Sequence, residues 1–172
     1  KDELGDEIWT VDEKIGGRYF YLTHGTAVWG HEFGFFKDPN DCNADTIWLT
    51  YSSSEEKVKD FIGKVAVISL NVDGRDFKIK TPMLNAGTIG LTHVMTFTNL
   101  DAEQQLIDSL MKARYVKVMI VEPKELEALL DIKDDQFGLK GFVASRKEAG
   151  QICRDNAPKI PQKREALASI RQ

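Results

Sequence analysis

Residues 65–79 read VAVISLNVDGRDFKI, two strand-like stretches on either side of an Asp73-Gly74 pair. An Asp-Gly pair in that setting matches a tight hairpin turn, where both central residues take positive φ at low cost. The stretches 65–72 and 75–79 are therefore expected to pair antiparallel, and they set the reading of the chain around them. Downstream, residues 92–98 (THVMTFT) alternate, with Val94, Thr96 and Thr98 on one face and His93, Met95 and Phe97 on the other. Upstream, residues 46–52 (TIWLTYS) set Ile47, Leu49 and Tyr51 against Thr46, Trp48 and Thr50. Further strand patterns cover 8–11, 18–23 (RYFYLT), 27–36 with Gly30 and Gly34 as interruptions, 115–121 and 137–143.

The period changes after residue 100. Leu106, Ile107, Leu110 and Met111 fall at helical spacing, with Asp101 and Gln104 in a capping-box relation. Residues 124–130 and 144–153 suit short helices. Strands that follow one another without regular helical crossovers predict a mainly β fold. The expected form is a mostly antiparallel sandwich or flattened barrel with two or three short helices, one near the C-terminus. Residues 1–154 read as a single β-rich domain. Residues 155–172, with Pro158 and Pro161 followed by a polar helical pattern, read as a linker and short helix.

With 172 residues the chain is long enough to bury a core without a metal or disulfide staple. A net charge of −4 gives no overall attraction for phosphate backbones, so no nucleic-acid partner is expected. No apolar run reaches membrane-spanning length, so no transmembrane segment is expected. Residues 1–4 spell KDEL, a retention signal only at a C-terminus. A first residue other than Met fits a trimmed mature chain or a truncation equally.

Candidate chemistry is sparse. The two cysteines, Cys42 and Cys153, allow one pairing, with two separate buried thiols as the alternative. His24, His31 and His93 are the histidines, and a three-ligand metal site would need the fold to gather them beside Glu32. Residues 38–45 read as a loop offering oxygen ligands from Asp38, Asn40, Asp41, Asn43 and Asp45, of the kind calcium takes. Pro39 intrudes, and neither the turn glycine nor the closing Glu of an EF-hand is present, so a solvated turn is the plainer reading. No Gly-x-Ser-x-Gly elbow and no phosphate-binding glycine loop occurs, and no cofactor is expected. Tyr19 and Tyr21 share one strand face beside Arg18; exposed, they would make a partner surface, whereas a strand buried on both sides would put them in the core.

Several features fall in a familiar order: Trp9-Thr10-Val11, Cys42 ahead of Leu49-Thr50-Tyr51, the VISLNVDG hairpin, Leu100-Asp101 leading into an apolar helix, and Leu139-Lys140-Gly141-Phe142 ahead of a terminal helix. In this order the chain resembles the invasion-associated locus B family of secreted bacterial proteins. The resemblance implies export, a β-sandwich, a role at the cell envelope or in host interaction, and no catalytic residues. Members usually carry more cysteines, the Trp9 strand here lacks a nearby Cys, and the aromatic stretch 24–36 is a departure.

The expectation is an exported, periplasmic or secreted, non-enzymatic binding protein of the cell envelope or host interface, with a protein partner. One alternative is a small hydrolase or metal-binding protein whose site forms only in three dimensions. The other is an intracellular or phage-encoded protein that binds a host protein in the cytoplasm, which reduced thiols would favour.

Overall fold

The structure, a computed structural model, describes residues 8–13, 16–25 and 29–157. It is mostly antiparallel β, nine strands in one curled, half-barrel sheet with short helices. The strands are β1 (Thr10–Glu13), β2 (Tyr19–His24), β3 (Glu32–Asp38), β4 (Asp41–Ser53), β5 (Val65–Val72), β6 (Arg75–Ile89), β7 (Thr92–Asp101), β8 (Tyr115–Glu122) and β9 (Asp134–Gly138). Their spatial order is β1-β2-β3-β4-β7-β6-β5-β8-β9. A 3₁₀ turn (Glu56–Phe61) follows β4, and the helices are α1 (Gln104–Lys112), α2 (Lys124–Glu127) and α3 (Phe142–Asn156).

The β5–β6 hairpin turns as its sequence dictates. Val72 pairs with Arg75, Asp73 and Gly74 take φ of 48° and 89°, and Asn71 Oδ1 accepts the Gly74 N–H at 3.0 Å. The sequence reading ended the second arm at residue 79, yet β6 runs fifteen residues through Pro82. Its first half pairs with β5 and its second half with β7, with a register shift between Met83 and Asn85. Proline costs a ladder hydrogen bond in a central strand, and Pro82 stands where β6 leaves one partner for the other. That change of partner links the two halves of the curled sheet.

Strand alternation sorts the side chains. Tyr19, Tyr21, Phe33, Phe35, Ile47, Leu49 and Tyr51 enter the main core, while Phe20, Leu22 and Phe36 form a second cluster with Trp48 on the opposite face. The two edges of the sheet meet through Trp9, whose backbone N–H donates to the Lys140 carbonyl at 3.1 Å and whose indole N–H donates to the Gly138 carbonyl at 2.7 Å. Gly141 then starts α3 from φ 85°, and a Cβ there would lie 3.0 Å from Ile8 Cγ2 and 3.3 Å from the Trp9 carbonyl. Phe142 follows it into the core, edge-on to Trp9 at 4.9 Å. The helix therefore begins two residues earlier than its periodicity suggested, at Phe142, and β9 ends at Gly138.

Two further expectations are corrected. Residues 38–45 are a strand hairpin, with only Pro39 and Asn40 between β3 and β4. The capping box at Asp101 does not form: Asp101 closes β7, its carboxylate accepts the Thr46 hydroxyl at 2.7 Å, and α1 begins at Gln104 without a side-chain cap. Residues 158–172, which hold most of the expected linker and short helix, lie outside the described residues.

Candidate cation-lined site beside the disulfide

Lys37 follows the inward-facing Phe33 and Phe35 by strand parity, and Asp45 precedes the inward-facing Ile47 and Leu49 in the same way. The β3–β4 hairpin therefore carries a cation and an anion on its apolar face, and both side chains are about 95% removed from solvent. Lys37 Nζ lies 2.9 Å from Asp45 Oδ1. From α3, Arg146 donates through Nη2 to Asp45 Oδ2 at 2.9 Å and through Nε to both carboxylate oxygens at 3.2 Å. The Tyr21 hydroxyl donates to Asp45 Oδ1 as well. One carboxylate thus gathers a strand phenol, a strand ammonium and a helix guanidinium, and so fixes α3 against the sheet.

Burial by itself would push the Asp45 carboxyl up, but hydrogen bonds from Arg146, Tyr21 and Lys37 outweigh it and hold the group below the usual carboxylate range. Burial and the neighbouring Asp45 charge push the Tyr21 phenol well up, so it remains a donor. Burial pulls Arg146 down, but its bonds to Asp45 more than reverse this.

The covalent link is close by. Cys42, on β4, and Cys153, on α3, form a disulfide with Cα atoms 5.7 Å apart across a sequence separation of 111. The pairing that the sequence left open is therefore made. Cys42 and the next turns of α3 wall an open pocket of about 350 Å³, lined also by Lys37, Asn43, Met111, Val143, Arg146, Lys147, Gly150 and Arg154. Val143, Arg146, Lys147, Gly150 and Arg154 follow the three-and-four spacing of one helix face. Among the described residues that line it there is no carboxylate. Chemically the site offers charged N–H donors in excess over acceptors.

A second polar pair is buried elsewhere. His31, ahead of β3, meets Asp135 of β9 with Nδ1 to Oδ2 at 2.8 Å, and neither side chain is more than 1% exposed. The imidazole stacks on Tyr51 with ring centroids 3.8 Å apart. Burial, then the charges of Asp135 and Asp134, push the Tyr51 phenol far up. The pair has the base-and-orienter form of a hydrolase site, but His31 Nε2 is enclosed and has no hydrogen-bond partner.

The other residues singled out from sequence are dispersed. His24 is exposed, 3.8 Å from Glu32, and His93 bonds the Thr88 hydroxyl at 3.0 Å, so the three histidines are not gathered. Asp38 and Asp41 accept the backbone N–H groups of Asn40 and Asn43 at 2.9 and 3.1 Å, and Asp45 belongs to the buried cluster. Among the described residues no group of three His, Cys, Asp or Glu side chains is placed to hold a metal ion. Tyr19 and Tyr21 are buried, so they present no partner surface, and Arg18 lies over Phe36 at 5.0 Å with Asp38 at 3.7 Å. Arg146, Lys147 and Arg154 were missed because their relation to Lys37 appears only when α3 packs on the hairpin. A signal existed on the strand side: two charges at the inward parity of apolar strands.

Among the described residues no helix is long and apolar enough to cross a membrane. No family model, curated relative or solved structure matches this chain.

Proposed function

We propose that this chain is an exported, non-enzymatic binding protein of the cell envelope or host interface, working in an oxidising compartment. The observation that carries the reading is the pocket beside the disulfide, walled by residues of β3, β4, α1 and α3, with α3 held to the β3–β4 hairpin covalently by Cys42–Cys153 and electrostatically by Asp45. A recognition surface gains affinity when its parts are ordered before the ligand arrives. Structural disulfides persist outside reducing cytosol, which supports export and weighs against the intracellular or phage-encoded alternative. The enclosure of His31 weighs against the hydrolase alternative. The resemblance of its motif order to the invasion-associated locus B family leads to the same reading.

A photo-crosslinking residue placed at Val143, on the pocket rim, tests it in the source organism, with Val65, exposed elsewhere, as the control position. The expected result is a discrete adduct from position 143 and none from 65. Adducts from 65 alone would overturn the location of the binding face.

A further inference from the structure

The lining of this pocket points to the chemistry of its occupant. Lys37, Arg146, Lys147 and Arg154 bring four cations together, and among the described residues Asp45 is the one carboxylate bonded to them. Among the described residues, Lys147 and Arg154 make no ion pair, and the Arg154 guanidinium makes one hydrogen bond, from Nη2 to the Gln151 side chain at 3.5 Å. This excess of positive charge stands in a chain whose net charge is −4, so it is a local concentration against the overall balance. Lys37 is nearly buried, where unneutralised charge is costly, and it shares its one carboxylate with Arg146. An added anion would relieve that excess.

The same pocket has an apolar side. Met111 of α1 and Val143 of α3 both line it, and they are 41% and 47% exposed. Small-molecule sites typically combine such apolar walls with a few directed polar groups, in volumes from about 300 Å³ upward.

We propose that the pocket binds an amphiphilic oxyanion: a phosphate or carboxylate head held by Lys37, Arg146, Lys147 and Arg154, with an alkyl portion against Met111 and Val143. This rests on the binding-protein reading and names its ligand class. Lys147 and Arg154 recognise the head group without taking part in the Asp45 cluster, so they separate binding from folding. Calorimetric titration of the disulfide-intact chain would use inorganic phosphate, octyl phosphate and octanol as probes. Octyl phosphate is expected to bind at least tenfold more tightly than phosphate, and octanol not at all. Its binding should weaken as salt rises, because the attraction is between charges. The K147Q/R154Q double variant should lose at least tenfold in octyl phosphate affinity while its Tm is unchanged. Equal binding of phosphate and octyl phosphate would overturn the amphiphile assignment. Absence of octyl phosphate binding at millimolar concentration, or unchanged affinity in the double variant, would overturn the site. A position-143 crosslink that persists in the double variant, alongside such a failure, would leave the binding-protein reading standing without this ligand.

Discussion

Replacing Asp45 by Ala removes the carboxylate on which Tyr21, Lys37 and Arg146 converge, and leaves two cations near each other in a largely dry setting. The Asp45 side chain is 4% exposed, Lys37 5% and Arg146 25%. Removing one partner from a buried ion cluster costs about 3–5 kcal/mol, far above the value of an exposed pair. For a chain of this length each kcal/mol lowers Tm by about 2–4 °C, so the expected loss is roughly 6–20 °C. Thermal unfolding followed by circular dichroism with the disulfide intact measures it. Because the folded Asp45 is held below its ordinary pKa, its stabilisation is complete above the unfolded carboxylate value of about 4 and is lost as pH falls through the folded value. The wild-type chain should therefore lose stability below about pH 4, and D45A should lack that component. Adding K37M to D45A removes one stranded charge and should recover part of the loss. A D45A penalty under about 1 kcal/mol would refute the reasoning, since that is what a solvated surface pair is worth.

Reduction of Cys42–Cys153, or the C42S/C153S variant, should lower stability by about 4–5 kcal/mol from loop entropy over the 111-residue separation, measured by urea unfolding with and without reductant. G141A should cost roughly 1–3 kcal/mol, because alanine resists the left-handed φ and its methyl meets Ile8 and the Trp9 carbonyl; equilibrium unfolding reads this out. Spectrophotometric titration of the four tyrosines should show two phenols, Tyr21 and Tyr51, ionising only when alkali unfolds the chain, since burial raises both.

The legible parts of this fold are the local ones. Asp73-Gly74 fixes a turn, and Ile47, Leu49 and Tyr51 fix a face, because both depend on neighbours along the chain. The full length of β6 was not legible: its pattern reads as strand only to Ile79, whereas the strand runs on through Pro82 and changes partner there, which is a tertiary event. Asp101 misled because a cap and a cross-strand bond compete for the same carboxylate, and Thr46 took it. Leu139-Lys140-Gly141-Phe142 looked like a short family signature. Each of its residues has a local task in closing the sheet: Leu139 donates its N–H to the Arg114 carbonyl, Lys140 accepts from Trp9, Gly141 turns the chain and Phe142 enters the core. The site was half visible. Lys37 and Asp45 stand at inward positions of apolar strands, which is a signal by itself, but helical spacing alone does not say that Arg146 and Arg154 come to rest above them. The oxygen-rich run 38–45 shows the reverse error: composition suggested a solvated loop, with calcium ligation as the rarer reading, and cross-strand pairing makes it a hairpin.

The pocket and its compartment both require α3 to be tied to β4 in the protein as it exists in the cell. Mass spectrometry of chain isolated from its source under acid quench, then alkylated before and after reduction, tests this directly. The expected result is no alkylation before reduction and modification of both Cys42 and Cys153 after it. Two alkylated cysteines without reductant would contradict both the covalent wall of the pocket and the oxidising compartment.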